Sequence, residues 1–505
     1  MLEIPPPNQQ HAQVLIVQAA NQSDASFARA QANSQGLMRQ LRAIEAGLQG
    51  NVRSLTLQQA VDRGLATSPQ LAVSYRAIQQ QQWQLIAARR DWYPNLSLTA
   101  RPLWGYQFNT TISNYQPYAN STFNTALGIP ITTWQGFYTS ATQVSPTSTL
   151  SWTFFKPQRT SAINSQLELL KQQRYLYAVS ARSLILQIQQ NYAMLQALKD
   201  LIRAFINLSL TNLQEVKVME ERLPARLVTV ADLEQSRTQA LNQMYQLIEY
   251  VNQYQATSAS LANLLGLDDT TLLEPTEGFG QVQAWPLNLE QTVAQGQALR
   301  EEVKANLAAA DSYTWDAKAL IQQYLPNLAL FASATANQGS GIFNGDLSGV
   351  TQGPANGSIW NPGGSLGIGL SWPLFDGGIY AAQSSARKAL AQQQRDQAQQ
   401  TRLDISQQIK TAYAAYNNQR LAVENSTQAV QSALKAQAAA QARYRVGIGD
   451  ITTLVQATGL YGSALFNLAN AQMSYATALA SLYRYSAIWP PGTEALVEQR
   501  SQQLR

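Results

Sequence analysis

The sequence predicts a duplicated chain of mixed α and β structure, in which each half contributes long helices and a pair of strands. An internal repeat indicates the duplication, because residues 55–100 align without a gap on residues 287–332, with about 14 identities in about 46 positions. The hydrophobic period changes between three to four, which is typical of helices, and two, which is typical of strands. Two helical patterns of about 65 residues are long enough to indicate coiled-coil packing.

These patterns divide the chain of 505 residues into five segments. Residues 1–54 form an N-terminal arm without a strong hydrophobic period, which we expect to be partly ordered. Residues 55–265 form the first repeat and residues 287–486 the second, each in the order helix, strand pair, long helix and short helix. A linker rich in Pro and Gly joins the repeats at 266–286, and a C-terminal tail follows at 487–505.

The first repeat opens with a helical pattern over residues 57–91, which ends before Pro94 because the residue before a proline is kept out of the α conformation. Alternating apolar residues then predict a strand at 96–101 and a returning strand at 149–154, joined by a long polar loop. The helical period resumes after Pro157 for about 64 residues, or roughly 95 Å at the rise of an α-helix. A shorter helix completes this repeat.

The second repeat follows the same order. It comprises a helix over 289–324, a strand from Pro326, a Gly-rich loop, a returning strand and a helix of about 65 residues over 380–445. A final short helix ends near Ser486, as a helix over 231–265 ends the first repeat. In the returning strand, apolar side chains alternate with small ones: Leu366, Ile368, Leu370 and Trp372 occupy one face, and Gly367, Gly369 and Ser371 occupy the other.

The four strands together carry large apolar side chains on one face and small or polar ones on the other. A sheet of four strands leaves two open edges, and in lipid a sheet has to close into a barrel of about eight strands or more. We therefore predict that oligomerisation completes the barrel. Aromatic residues at the strand ends fit the girdle that lies at lipid headgroups: Trp92, Tyr93, Trp104, Trp152, Phe155, Tyr324, Trp372 and Phe375. The alternative is a soluble domain in which these aromatics form the core.

The composition excludes several classes of function. Charged residues make up only 13% of the chain, and the net charge of +5 is scattered, so no nucleic-acid footprint is present. There is no Cys and one His, His11, which excludes thiol chemistry and thiolate metal sites. Three carboxylate pairs are sequence neighbours whose side chains diverge, so we expect them to be solvated: Glu220-Glu221, Asp268-Asp269 and Glu301-Glu302. We expect no enzyme, no cofactor and no metal site.

Export signals and membrane helices are not predicted from the sequence. No run of 18 or more apolar residues is present, so no transmembrane helix is expected. The first ten residues are polar and Pro-rich and lack the form of a signal peptide, so either the protein is not exported or the numbering begins at a mature end.

Four motifs occur in order along the two repeats: Leu57-x-x-Ala60-x-x-x-Gly64, then Tyr93-Pro94-Asn95-Leu96 with its copy in the second repeat, then Leu370-Ser371-Trp372-Pro373-Leu374-Phe375-Asp376-Gly377-Gly378, and Arg443-Tyr444-Arg445-Val446-Gly447. With these motifs the chain resembles the TolC family of outer-membrane efflux proteins over about residues 55–486. The resemblance implies a homotrimer in the cell outer membrane, in which each chain gives four strands to a twelve-stranded β-barrel. It also implies a periplasmic α-helical coiled-coil barrel that continues the channel.

The resemblance also implies partners and a function. A periplasmic adaptor, or membrane fusion protein, would join the channel to an inner-membrane pump or ABC exporter, and outer-membrane lipid would surround the barrel. The duct would export small molecules such as drugs and toxic compounds, or proteins by type I secretion. The alternative function is a soluble coiled-coil scaffold without channel activity.

The two helix turns carry the residues to which the resemblance assigns roles. Asp232 and Tyr444 fall on family positions that hold the periplasmic gate shut, although Asp232 is equally well explained as an acid stabilised at a helix N-terminus. Gly449 stands at the family's gate arginine, and Thr453 and Gln456 stand where two acids ring the constriction. An acidic ring attracts cations, so the basis for cation selectivity is missing. The adaptor would contact Arg222, Leu223, Pro224 and Arg226 in the first turn, and Val446 and Gly447 in the second. Arg226 stands where the first repeat of the family usually has Gly.

Overall fold

The computed structural model describes residues 34–47, 52–115, 133–267, 272–279, 285–344 and 355–490. The chain divides into two compact units. The first comprises residues 1–78, 173–305 and 397–505, and the second comprises residues 79–172 and 306–396.

Helices make up most of the described residues. Their bounds are α1 Ser34–Gly47, α2 Leu57–Thr67, α3 Pro69–Arg90, α4 Gln158–Arg222, α5 Val230–Leu264, α6 Leu289–Leu299, α7 Glu301–Ile321, α8 Ile379–Arg445 and α9 Ile451–Ser486. The strands are β1 Val52–Leu55, β2 Asn95–Ala100, β3 Gly105–Tyr115, β4 Thr133–Val144, β5 Pro146–Phe155, β6 Leu272–Pro275, β7 Asn327–Asn344 and β8 Ala355–Ser371. The two long helices predicted from the sequence are confirmed, because α4 has 65 residues and α8 has 67.

The helix that opens each repeat is broken, so the prediction of one continuous helix was wrong in both halves. In the first repeat, Ser68 is extended with ψ 123° and separates α2 from α3. The proline at position 69 explains this break, because it excludes the α conformation from the residue before it. In the second repeat, Arg300 is extended with ψ 129° and separates α6 from α7 without a proline.

The repeated glycines Gly64 and Gly296 allow close helix packing in the first unit. A Cβ atom at Gly64 would overlap the Ile188 side chain of α4, and one at Gly296 would overlap the Ile409 side chain of α8. Both isoleucines are fully buried. The duplication therefore preserves a close helix contact in which each glycine leaves room for an isoleucine side chain.

Helix α1 lies within the segment predicted as an N-terminal arm. Its residues Leu37 and Leu41 are buried in the apolar core of the first unit. At its first residue, the Ser34 hydroxyl donates to the Glu220 carboxylate at 2.5 Å, and the Ser34 amide donates to the same group at 3.2 Å. Arg237 forms an ion pair with Glu220 at 2.8 Å, so α1 is attached to the ends of α4 and α5.

The second unit contains an antiparallel sheet of four passes, which confirms the predicted pair of hairpins. A pass is one crossing of the sheet by the chain, and the first two passes each consist of two consecutive strands. β2 and β3 form the first pass, and β4 and β5 form the second, with β5 paired to β2 and β4 paired to β3. β7 pairs with both β4 and β5, and β8 pairs with β7. The strands extend farther into the predicted polar loops than expected, because backbone pairing continues through Thr, Asn and Ser residues.

Candidate functional site

One face of the sheet is apolar and exposed. The pairing register places Leu96 opposite Leu150, Trp152 opposite Leu330, and Leu328 opposite Leu370, all on this face. Along β8 the exposed fraction is 77% for Leu366, 68% for Ile368 and 63% for Leu370. Single exposed leucines are ordinary on soluble proteins, but a continuous face of them marks a contact with a protein or a membrane.

The opposite face of the sheet is polar and lined with small side chains. Ser97 and Thr149 share a hydrogen bond of 2.7 Å across the first hairpin, and Ser333 and Ser365 share one of 2.7 Å across the second. Phe331 is a large apolar side chain on this face, and it lies over Gly367, where a Cβ would come within 2.8 Å of its ring. The two faces therefore differ in chemistry, as the alternation of residues predicted.

The predicted aromatic girdle lies at one end of the strands, where β2 and β7 begin and β5 and β8 end. This end of the strands is named the sheet edge. Six of the girdle residues are exposed there: Trp92, Tyr93, Trp152, Phe155, Trp372 and Phe375. Tyr324 is half-buried, and its hydroxyl donates to the Asp376 carboxylate at 3.0 Å. Trp104 is exposed but lies between β2 and β3, away from the other seven aromatic residues.

Sequence reasoning missed a buried arginine at this edge. The Arg159 side chain is 1% exposed, and its Nε donates to the Asp91 carboxylate at 2.9 Å. Its Nη2 donates to the Thr153 carbonyl at 2.5 Å, and its guanidinium lies 4.3 Å from the centre of the Trp92 ring. An arginine in the first turn of a long helix gives no sequence signal of burial, because its partners come from other elements.

The first helix turn joins α4 to α5. Asp232 completes a capping box with Thr229: its carboxylate accepts from the Thr229 amide at 2.9 Å, and the Thr229 hydroxyl accepts from the Asp232 amide at 3.1 Å. Asp232 therefore stabilises the N-terminus of α5, as in the alternative interpretation. Arg226 adopts a positive φ of 56°, a conformation that glycine tolerates better than other residues.

The second helix turn joins α8 to α9. Gly447 has φ 78°, and Asp450 caps α9 by accepting from the Thr452 amide at 2.6 Å. A Cβ at Gly449 would lie 2.9 Å from the Tyr444 backbone nitrogen, so an arginine there would require this turn to shift. Tyr444 is half-buried; burial raises its pKa, and the Asp232 charge raises it further.

The predicted adaptor and gate residues divide by exposure. Pro224, Arg226, Val446 and Gly447 are exposed, as are Thr453 and Gln456, whereas Arg222 and Leu223 are half-buried. Three exposed aliphatic residues of the same turns were not predicted: Leu227, Val230 and Ile448. Apolar residues in a turn between two helices are the signal that could have identified them.

The carboxylate pair at 301 and 302 is not solvated, so that prediction was wrong. Arg182 pairs with Glu301 at 3.0 Å, and Arg484 pairs with Glu302 at 2.6 Å. Glu302 also pairs with Arg300 at 2.7 Å. Burial alone would raise the pKa of Glu302, but the two arginines outweigh it and lower this pKa to about 2.

The other carboxylate predictions have different outcomes. Glu220 is bound by Ser34 and Arg237, and Glu221 lies 3.9 Å from Lys217. Asp268, Asp269 and His11 lie outside the described residues. Across the described ranges, no group of three potential metal ligands comes together.

The comparison with known families decides the classification. Residues 60–267 and 292–487 match the outer membrane efflux protein family. The chain belongs to this family. The two matched ranges correspond to the two repeats, so the duplication belongs to the family pattern.

Solved structures of outer-membrane channels share the fold of this outer membrane efflux protein. VceC from Vibrio cholerae is 17% identical, with a TM-score of 0.61 over 85% of this chain and 95% of that chain. CmeC from Campylobacter jejuni is 16% identical, with a TM-score of 0.64 over 89% and 90%. The open state of MtrE from Neisseria gonorrhoeae is 16% identical, with a TM-score of 0.57 over 85% and 88%.

No curated protein matches the sequence of this outer membrane efflux protein. Within the described part of the chain, no helix combines the length and hydrophobicity that crossing a membrane requires.

Proposed function

We propose that this outer membrane efflux protein is a channel, or exit duct, and has no catalytic activity. Its cargo would be small molecules such as drugs and toxic compounds, or proteins secreted by the type I route. The observation that carries the proposal is the exposed apolar face of the sheet. Leucine and isoleucine side chains that are more than half exposed are unfavourable in water, and they are stable against the hydrocarbon of a bilayer.

Three chains would complete the barrel. In the described sheet, the β2–β3 pass and β8 each pair on one side only, and unpaired backbone groups in lipid cost several kcal/mol each. Four passes from each of three chains would give twelve strands, which is above the minimum of about eight for a membrane barrel. The polar face would then line the lumen, and the long helices would form the periplasmic coiled-coil barrel.

The two helix turns would serve the partners and the gate. Exposed residues at Pro224, Arg226, Val446 and Gly447 support contact with a periplasmic adaptor, which would connect the duct to an inner-membrane pump or ABC exporter. Energy for transport would come from that partner. The gate would involve Tyr444, half-buried beside the charge of Asp232, together with Gly449, Thr453 and Gln456.

The mass of the detergent-solubilised particle tests this assembly. We expect the mass of three chains after the detergent mass is subtracted, and precipitation when detergent is removed. A soluble coiled-coil scaffold would instead remain soluble without detergent. A monomer or dimer that is stable in water would contradict the proposal, because the apolar face of the sheet would then be compatible with solvent.

A further inference from the structure

The two places where a helix meets the sheet edge differ in charge, although the duplication relates them. The first junction consists of residues 89–93 and 152–159, and it contains four cationic side chains and one acidic side chain: Arg89, Arg90, Lys156, Arg159 and Asp91. The second junction consists of residues 321–325 and 372–379, and its only charged side chain is Asp376. The last turn of α7 adds one cation, Lys318, whereas the last turn of α3 carries both Arg89 and Arg90, so the first junction is the more cationic of the two.

The single carboxylate of the first junction pairs with two of the cations. One oxygen of Asp91 accepts from Lys156 at 3.1 Å and from Arg159 at 2.9 Å. Lys156 uses one of its three ammonium donors in this way, and its side chain is 34% exposed. Two N–H donors of Lys156 thus remain directed away from Asp91.

Arg89 and Arg90 occupy the last turn of α3 and are exposed. No ion pair to either arginine occurs within the described residues. They directly precede Trp92 and Tyr93, the exposed aromatics of the girdle. Aromatic side chains of this kind lie at the level of lipid headgroups, which places uncompensated guanidinium groups at the depth of lipid phosphates.

Arg159 holds the junction together from inside. Its side chain is buried, and its Nη1 has no hydrogen-bond partner within the described residues. Its contacts with Asp91 and Trp92 fix the end of α3 against the start of α4. The exposed cations are thus presented on a rigid support, which lowers the entropic cost of binding an anion.

We propose that the first junction binds the phosphate headgroup of an anionic phospholipid, through Arg89, Arg90 and Lys156, in the leaflet on the helix side of the outer membrane. Residues 321–325 and 372–379 of the second junction contain no Lys or Arg, so the second junction does not bind such a headgroup. This inference rests on the proposed placement of the strands in a bilayer. It assigns a lipid-specific site to one of two positions that the fold makes equivalent.

Native mass spectrometry of the delipidated particle tests the site. Phosphatidylglycerol and phosphatidylethanolamine are titrated separately, and bound lipids are counted. We expect phosphatidylglycerol to bind more tightly, and we expect the double variant Arg89→Gln and Arg90→Gln to weaken its binding by about 25-fold, from the attraction of each cation near a membrane surface. The matched control is Arg39→Gln with Arg42→Gln, exposed arginines of α1, which should leave the affinity unchanged.

The possible outcomes separate this site from the proposed function. Equal phosphatidylglycerol affinity in the double variant and the control, with lipid still bound, would overturn the site and leave the bilayer placement intact. Displacement of phosphatidylglycerol by an equal concentration of inorganic phosphate would also overturn it, because free phosphate would then be the ligand. A particle that is soluble without detergent and binds neither lipid would overturn both.

Discussion

The indole Nε1 of Trp372 donates a hydrogen bond to the backbone oxygen of Tyr324 at 3.0 Å. In the first repeat, Trp152 makes the corresponding bond to the backbone oxygen of Trp92 at 2.9 Å. Each bond ties the returning strand of a hairpin to the end of the helix that precedes the hairpin. Because an indole has one donor and no acceptor, this bond fixes the ring at the sheet edge.

Replacing Trp372 with Phe should destabilise the second hairpin by about 1 kcal/mol, the typical net value of one hydrogen bond. Phenylalanine keeps an aromatic ring, although a smaller one, at this exposed position and has no N–H donor. The change is measured by urea unfolding of the protein in lipid vesicles. The control is Phe375→Leu, at an exposed position, which should change stability by less; equal effects would contradict the role of the bond.

The exposed apolar face of the sheet gives a second prediction. Leu370→Arg should cost about 2 to 4 kcal/mol, the range for an arginine near the middle of a bilayer. Ser371→Arg is the control, because Ser371 is the next residue of β8 and lies on the opposite face. A membrane folding assay that finds the same small cost for both variants would rule out contact between Leu370 and lipid.

The first helix turn should be stabilised by restoring glycine. Arg226→Gly should increase the free energy of unfolding by about 1 kcal/mol, because a side chain at positive φ is strained. Arg226→Ala removes the same charge and keeps the strained conformation, so it should give no such gain. Chemical denaturation of both variants distinguishes relief of strain from loss of charge, and equal gains would favour the charge.

The ion cluster at Glu302 should make stability fall at acid pH. The folded-state pKa is lowered from 4.5 to about 2, so Glu302 stabilises the fold fully above pH 4.5 and loses this contribution as the pH falls towards 2. The contribution is on the order of 3 kcal/mol. Glu302→Gln should reduce stability at neutral pH and flatten its dependence between these pH values.

The exposed Glu424, in the middle of α8, provides the control for this pH dependence. It forms no ion pair within the described residues, so Glu424→Gln should reduce stability far less than Glu302→Gln does. Thermal unfolding from pH 5 to pH 2 is the measurement. A Glu302→Gln profile that still declines like the wild-type profile would assign the acid sensitivity to another group.

Several features of the fold could be predicted from the sequence because they depend on local periodicity. The two long helices, the four passes of the sheet and the alternation along β8 are of this kind. The repeated glycines were visible as identities, but their reason was not, since Ile188 and Ile409 lie more than one hundred residues away. The break at Ser68 had a local signal in the following proline, and the break at Arg300 had none.

The features that could not be predicted depend on partners distant in sequence. Glu301 and Glu302 resemble solvated neighbours in the sequence, but they meet Arg182 and Arg484 in the fold. Asp232 could be a gate residue or a helix cap on sequence grounds, and the geometry of its side chain is that of a cap. These pairings cannot be predicted from the residues that are neighbours in the sequence.

The gate proposal predicts an effect of Tyr444. Tyr444→Phe removes the hydroxyl and leaves the Asp232 cap in place, so we expect a larger resting conductance in planar bilayers without a loss of stability. Tyr245→Phe is the matched control, because Tyr245 is exposed on α5. Unchanged conductance in Tyr444→Phe would remove this hydroxyl from the gate.

The most direct test of the channel proposal is the conductance of the purified wild-type particle in a planar lipid bilayer. We predict discrete, uniform insertion steps with a small and stable resting conductance, as expected for a trimeric channel whose periplasmic end is closed. The contradicting result is that particles with the mass of three chains insert into the bilayer but never produce a conductance step, even when they carry Tyr444→Phe. This protein would then not be a channel.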